Sequence, residues 1–200
     1  MENEEVLSES SENKEILLKK DKKEKTKDVL STLLAVIITV FVCRFVFTMH
    51  KIPSASMEPT IQTKSLAICW RFPYLIGNPT PKYEDVVSFK DPDSSVFLIK
   101  RVIGLPGDTI SFDGTGKVFR NGKRLDEPYL KEQMSTFSSR ESFTVPEGKM
   151  FVMGDNRQNS NDSRWKKTTF IPIENVYAKE LFSFYCPILM PAADSYYEGM

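Results

Sequence analysis

The sequence predicts a mostly β protein in which one N-terminal transmembrane helix precedes a domain of antiparallel β-sheet. Three observations support this prediction. The only long apolar run lies near the N-terminus. After it, short segments rich in Val, Ile and Phe are bounded by turn signals, which is typical of antiparallel strands. No ten-residue window in this second part shows strong helical periodicity.

The apolar run has the length and composition of a membrane anchor. No residue between Val29 and Cys43 is charged, and the apolar character continues past Arg44 to Met49. As a helix, residues 29–49 would be about 31 Å long, which is enough to cross the hydrocarbon core of a bilayer. We therefore predict a transmembrane anchor over residues 28–49. A cleaved signal peptide and a buried core helix are the alternatives.

Charge on the N-terminal side of the anchor predicts its orientation. Residues 1–27 are polar and charged, so we expect a cytoplasmic tail that is disordered or a loose helix. Six lysines between Lys19 and Lys27 place this tail in the cytoplasm by the positive-inside rule. The predicted localisation is therefore the cytoplasmic membrane, spanned once, with everything after residue 50 outside the cytoplasm.

Residues 50–190 are predicted to form one extracytoplasmic domain, followed by a C-terminal tail over residues 191–200. Residues 109–149 leave room for a compact hairpin insertion with turns at Asp113-Gly114 and Asn121-Gly122, the second of type I′. Segments 72–82 and 128–141 are predicted loops. The predicted strands are residues 64–70, 85–90, 96–103, 109–112, 117–120, 142–145, 149–153 and 176–185.

Composition argues against several functions. Lys plus Arg and Asp plus Glu number 27 each, so nothing indicates a nucleic-acid partner. The three cysteines, Cys43, Cys69 and Cys186, show no C-x-x-C spacing, and we expect no metal and no cofactor. A Cys69–Cys186 bridge stays open. The one histidine, His50, excludes a mechanism that needs a histidine cluster.

A stiff turn rich in hydroxyl groups follows the apolar run. The segment Ile52–Thr60 reads I-P-S-A-S-M-E-P-T, and its two prolines restrict the backbone. Such a turn would present Ser54 and Ser56 well for nucleophilic attack, although Pro and Ser also mark ordinary turns.

A nucleophilic serine needs a general base, and lysine is the candidate because nothing evident orients His50. Ser–Lys pairs are a known variant of this arrangement. Lowering a lysine pKa from about 10.4 to about 8 requires burial and costs about 3 kcal/mol. Lys100 ends the apolar run Val96–Ile99 and fits this requirement. Because side chains alternate in a strand, we expect one of Lys100 and Arg101 to face inward and the other outward, unless both are solvated.

The segment Gly154–Arg164 is almost entirely polar and follows a predicted strand. Such a segment is usually a solvated loop, but its short hydrogen-bonding side chains also suit a buried polar network under a site. In that case we expect Asp162 to pair with Arg164 and Ser160 to hydrogen-bond the lysine.

These three segments resemble the motifs of bacterial type I signal peptidases, membrane-bound serine proteases that remove signal peptides from exported proteins. The family motif P-S-x-S-M-x-P-T matches Pro53–Thr60, and K-R-x-x-G-x-P-G-D matches Lys100–Asp108. The third motif, G-D-N-R-x-x-S-x-D-S-R, matches Gly154–Arg164. With one visible span, the chain is similar to the short, single-span members. The resemblance implies a barrel-like antiparallel catalytic domain.

The resemblance also implies a role for each matched residue. Ser56 corresponds to the nucleophile, Lys100 to the general base, and Ser54 to an oxyanion donor beside the Ser56 N–H. The residues that would support the site are Ser160, Asp155, Asp162 and Arg164. The walls of two shallow pockets, for small substrate side chains at positions −1 and −3, would be Ile52, Pro53, Met57, Ile61 and Ile99.

The implied reaction is cleavage of preprotein signal peptides through an acyl-enzyme, with the substrate added as an extended strand. The lipid bilayer is an expected partner, and we expect Met57 to be exposed beside the nucleophile and to enter the lipid. The protein-export channel is a candidate partner. Two alternatives stay open: a non-catalytic, membrane-anchored β module that binds exported chains, and an inactive paralogue.

Overall fold

The computed structural model describes residues 2–77, 80–130, 136–138 and 141–189, with side chains from residue 20 to residue 188. The chain divides into two compact units, the first ending at Phe45 and the second beginning at Val46. The predicted C-terminal tail, residues 191–200, lies outside the described residues, as does part of the predicted loop 128–141.

The first unit is one helix, α1, which runs from Glu2 to Val46. The predicted tail is thus helical where it is described. Within α1, the stretch Lys20–Val46 is long and apolar enough to cross a membrane, and none of its apolar window is buried. The helix ends at Val46, three residues before the predicted end of the anchor at residue 49. Residues 47–49 belong to strand β1, because their backbones pair with a second strand rather than continue the helix.

The second unit is mostly β, as predicted. Every predicted strand is present with bounds within one residue, and three short strands (β1, β7 and β10) were missed. The predicted loop 72–82 contains a single helical turn, α2, with proline in its first turn. The elements are β1 Phe47–Ile52, β2 Ser65–Trp70, α2 Phe72–Leu75, β3 Val86–Lys90, β4 Phe97–Gly104, β5 Thr109–Phe112, β6 Val118–Arg120, β7 Lys123–Arg124, β8 Ser142–Thr144, β9 Lys149–Met153, β10 Ile171–Pro172 and β11 Val176–Tyr185, with 3₁₀ turns at Ile173–Asn175 and Pro187–Leu189.

The strands form two antiparallel sheets. The larger has the order β1-β2-β11-β3-β4-β9-β10, and the smaller has the order β7-β6-β5-β8. Register shifts in β4 and β11 mark bulges, which bend strands and curl the large sheet. The smaller sheet packs on β4 and β9 through an apolar cluster that includes Ile103, Ile110, Phe143 and Phe151. The central strand β4 is therefore covered over much of its length.

The predicted hairpin at Asn121-Gly122 is confirmed. Arg120 and Lys123 pair across it, and the two turn residues have φ values of 53° and 77°. Positive φ at both central positions is the type I′ signature, which asparagine followed by glycine tolerates well.

Cys69 and Cys186 are both free thiols. Cys69 is buried near one end of β2, opposite Glu180, whereas the Cys186 N–H donates to the Lys64 carbonyl beyond the other end of β2. The length of this strand separates the two residues, so they do not form the bridge that the sequence left open.

Candidate active site

The turn after β1 and the strand β4 bring Ser56 and Lys100 together. Lys100 Nζ donates a 2.7 Å hydrogen bond to Ser56 Oγ and a 3.0 Å hydrogen bond to the Ile99 carbonyl. Lys100 is 4% exposed and Ser56 is 9% exposed. The nucleophile and base candidates of the sequence are thus in direct contact, 44 residues apart along the chain.

Burial changes the acid–base behaviour of Lys100. Loss of hydration lowers the pKa of its ammonium group to about 8, although the nearby Asp162 charge acts in the opposite direction. The charged form is the one that burial disfavours. A minor neutral fraction is therefore present at pH 7 and grows as the pH rises toward 8, and neutral Lys100 can accept a proton from Ser56.

Two hydroxyl groups lie side by side in this turn. Ser54 Oγ is 3.3 Å from Ser56 Oγ, in a partly buried position. His50, by contrast, hydrogen-bonds Ser88 through Nε2 at 3.1 Å and has no bond to Ser56. The arrangement therefore pairs Ser56 with a lysine, as the sequence predicted.

Backbone hydrogen bonds hold the turn in place. The Lys64 N–H donates to the Ile52 carbonyl at 2.9 Å and closes the segment between them. From outside the turn, the Asn156 N–H donates to the Ser56 carbonyl at 3.0 Å, and its side-chain amide donates to the Ala55 carbonyl at 3.1 Å. Asn156 was missed by sequence reasoning, although it lies inside a motif that was recognised.

Gly154 allows the two segments to approach this closely. A Cβ atom at position 154 would overlap the Ser56 carbonyl oxygen and the side chain of Ser160. Glycine is required here for space, since no positive φ is involved. The turn Ile52–Thr60, called the nucleophile turn below after its candidate nucleophile Ser56, thus contacts the backbone of the polar segment directly.

Arg101 supports the site from the other face of β4. Its guanidinium donates two hydrogen bonds to Asp155, at 2.9 and 2.6 Å, and the Thr60 hydroxyl donates to the same carboxylate. The Tyr129 ring covers the guanidinium at 4.0 Å. The expectation that one of Lys100 and Arg101 faces outward was wrong, because both residues are buried.

The polar segment Gly154–Arg164 forms a buried network, as one of its two interpretations predicted. Arg164 donates to both oxygens of Asp162 at 2.8 Å, and the Gly154 N–H adds a bond of 2.9 Å. Burial alone would raise the pKa of Asp162, but these hydrogen bonds and the Arg164 charge lower it. The predicted Asp162–Arg164 pair is confirmed.

The implied hydrogen bond between Ser160 and Lys100 is not formed. The Ser160 hydroxyl is buried beside Gly154, and Lys100 donates to Ser56 and the Ile99 carbonyl instead. Asp155, Asp162 and Ser160 all lie in the segment that underlies the nucleophile turn.

A groove of about 770 Å³ opens beside Ser56 and Lys100. Of the five predicted wall residues only Pro53 lines it. The other four are buried in one apolar cluster: Ile52, Met57, Ile61 and Ile99. The expectation that Met57 is exposed and dips into lipid was wrong, because it packs in this cluster and is 2% exposed.

Sequence reasoning also did not predict which side of β4 faces the groove. Val96, Leu98 and Lys100 line the groove. Alternation along a strand puts Ile99 on the opposite face, where it joins the apolar cluster. The spacing of two from Lys100 could have identified Leu98. Among the described residues, no group of three or more His, Cys, Asp or Glu side chains could hold a metal ion.

Comparison with known proteins identifies the family. Residues 25–185 match the family described as "Signal peptidase, peptidase S26". The chain belongs to this family. It is 35% identical over 174 residues to Signal peptidase I P of Bacillus subtilis subsp. natto, with 82% of this chain and 92% of the relative covered.

A second relative agrees. Signal peptidase I V of Bacillus subtilis (strain 168) is 38% identical over 147 residues, with 68% of this chain and 85% of the relative covered. A crystal structure of a signal peptidase I from Enterococcus faecalis V583 is 29% identical with a TM-score of 0.43, and the alignment covers 50% of this chain and 97% of that one.

Membership of the family confirms the resemblance. The chain is a serine endopeptidase that cleaves signal peptides from preproteins, and the alternative of a non-catalytic β module is not favoured. Its apolar helix is consistent with association with a membrane.

Proposed function

We propose that Ser56 is the nucleophile of this endopeptidase and that Lys100 is its general base. The 2.7 Å hydrogen bond between buried Lys100 and Ser56 supports this proposal. Neutral Lys100 accepts the hydroxyl proton while Ser56 Oγ attacks the scissile carbonyl carbon. The protonated lysine then returns this proton to the departing amine. A water molecule, activated by the same lysine, hydrolyses the acyl-enzyme.

The Ser54 hydroxyl and the Ser56 N–H are the proposed oxyanion donors. Ser54 Oγ lies 3.3 Å from the attacking oxygen, close enough to reach the carbonyl oxygen of a bound substrate. Removing one such donor typically costs about 3 kcal/mol of transition-state stabilisation. Asp155, Asp162, Arg164 and Ser160 would act indirectly, by holding the segment under the turn.

The substrate is proposed to add as a strand to β4. Strand β3 pairs with residues Phe97 to Arg101 of β4, whereas β9 pairs only from Arg101 onward. Among the described residues, the stretch Phe97–Lys100 therefore has a strand on one side only. An extended chain added there reaches Ser56, and small side chains at −1 and −3 would fit against Pro53 and its neighbours.

We further propose one membrane span with the N-terminus in the cytoplasm. Residues 1–27 would be the cytoplasmic tail, 28–46 the span, and the rest would be extracytoplasmic, next to lipid and to the protein-export channel. The lysines before the span support this orientation. Protease added to intact spheroplasts should degrade the β unit and spare an epitope on the tail; the reverse result would overturn the orientation.

The deciding experiment is cleavage of a model preprotein in detergent micelles. The wild type is compared with Ser56→Ala and Lys100→Ala, and with the exposed control Ser142→Ala. We expect cleavage after a small residue by the wild type and the control, and losses of at least about 10³-fold in both site variants. Normal cleavage by Ser56→Ala or Lys100→Ala would overturn the assigned roles.

A further inference from the structure

The groove beside Ser56 has a charged wall that the proposed mechanism does not use. Asp91 follows β3, Lys166 lies between β9 and β10, and both line the groove together with Lys100. Lys166 Nζ lies 2.7 Å from Asp91 Oδ2, with side-chain exposures of 9% and 0%. Charges at this depth are screened less by water and salt than surface charges are.

Asp91 is held rigidly by the turn between β3 and β4. Its N–H donates to the Val96 carbonyl at 2.8 Å. Its carboxylate accepts the Ser94 N–H at 3.2 Å and the Ser94 hydroxyl at 2.6 Å. The same turn leads directly into β4, so the position of the carboxylate is coupled to the strand that carries Lys100.

Lys166 is held from the other side of the groove. Its N–H donates to the Asp162 carbonyl at 3.0 Å, so it emerges from the end of the buried polar segment. A second connection joins the turn after β3 to the segment between β9 and β10, because Thr168 donates to Asp93 through its N–H and its hydroxyl. The ion pair is therefore a fixed part of the groove, unlike a flexible surface contact.

We infer that the Asp91–Lys166 ion pair, fixed in the wall of the groove that Lys100 also lines, is a positioning element of the active site whose two opposite charges act on Lys100. The inference rests on the proposed roles of Ser56 and Lys100. Neither member of the pair touches the reacting atoms; each acts through Lys100.

The charges around Lys100 show why the pair matters. Burial is the largest influence and lowers its pKa; among the charged groups, Lys166 also lowers it. Three carboxylates raise it: Asp162 and Asp155 from the polar segment after β9, and Asp91. Asp162 and Asp155 already carry arginine partners. While the Asp91–Lys166 pair is intact, its two influences oppose each other, and removing one charge leaves the other uncompensated.

The test is the pH dependence of kcat/KM for preprotein cleavage by the full chain in detergent micelles. Lys166→Gln leaves the Asp91 charge, which favours protonated Lys100. The rising limb of the plot of kcat/KM against pH should therefore move to higher pH. Asp91→Asn leaves the Lys166 charge, which disfavours protonated Lys100, so the limb should move to lower pH. Each shift should be on the order of 0.5 to 1 pH unit. The double variant should lie close to the wild type.

Lys167→Gln is the matched control, since Lys167 also lines the groove but is exposed. It should move the limb much less than Lys166→Gln does. Shifts no larger than the control, or shifts of both single variants in one direction, would overturn the inference. If Asp91→Asn does not fold, the comparison of Lys166→Gln with the control decides. Cleavage that survives Ser56→Ala would instead overturn the proposed function, so the two failures are distinguishable.

Discussion

The Lys100 side chain is buried and also carries an amine that can bind or release a proton. Its surface is 4% exposed, yet its ammonium group has two hydrogen-bond acceptors, Ser56 Oγ and the Ile99 carbonyl. The protein therefore keeps the amine in position while it penalises the charge. A serine hydroxyl is a weak nucleophile at neutral pH and needs such a base beside it.

This position predicts a pH profile. We expect kcat/KM to rise with pH and to reach half of its maximum near pH 8, because only neutral Lys100 accepts a proton and burial lowers its pKa to about 8. Lys100→Arg should be inactive throughout, since the guanidinium keeps its charge. The measurement is initial cleavage rate against pH in micelles. A wild-type rate that does not change on either side of pH 8 would contradict the prediction.

Gly154 gives a second prediction at the scale of one residue. Gly154→Ala should lower the free energy of unfolding by about 1 to 3 kcal/mol and reduce cleavage strongly, because the new methyl group collides with the nucleophile turn. Gly114→Ala is the control, since a Cβ atom there meets no atom within 4 Å. Urea titration and cleavage assays measure both effects. Equal results for the two variants would refute this account.

Differences at the residue scale share one cause. The resemblance implied that Met57 and Ile99 form walls of the substrate pockets, and in the structure both are buried in an apolar cluster. Which face of a strand or turn meets the groove depends on strand pairing over long distances in the chain. A motif specifies residue identity at a position, and a shift of one residue along a strand reverses its face.

At the scale of elements, the polar segment Gly154–Arg164 acts as the base under the nucleophile turn. Two buried arginines clamp it, Arg101 through Asp155 and Arg164 through Asp162. Buried ion pairs of this kind add little net stability compared with apolar packing, but removing one partner leaves an uncompensated charge. The segment is thus held to one conformation.

We therefore expect Arg101→Met to destabilise the β unit by about 3 to 5 kcal/mol, because Asp155 would remain buried without the Arg101 guanidinium as its partner. Lys179→Met is the matched control. Its partner is Asp85 at 2.6 Å, but Lys179 is 39% exposed, so the cost should be below about 1 kcal/mol. Chemical denaturation in detergent measures both, and similar costs would argue against the clamp.

At the scale of the whole molecule, the boundary between the two units falls at the start of β1. Six residue pairs join β1 to β2, from Phe47 opposite Trp70 to Ile52 opposite Ser65. His50 in β1 also reaches across to Ser88 in β3. The first strand therefore belongs to the β unit, although its sequence continues the apolar run.

Truncation tests this boundary. A chain that begins at Val46 should keep the β-sheet circular dichroism signal and Ser56-dependent cleavage in detergent, because it contains the whole β unit. A chain that begins at Pro53 should lose both, since β2 would lose β1, its partner on one of its two sides, along its full length. Activity in the second chain, or unfolding of the first, would show that the boundary lies elsewhere.

The sequence by itself predicted most of the strands, the Asn121-Gly122 hairpin and the apolar helix, and it singled out Ser56 and Lys100 as a candidate pair. These features are local, because they depend on hydrophobic periodicity, turn residues or a short motif. Tertiary structure decided that the helix ends at Val46, that Lys100 and Arg101 are both buried, and that Leu98 rather than Ile99 lines the groove. These outcomes depend on which segments cover each face of β4 and which strand pairs with β1, and such contacts join residues far apart in the chain.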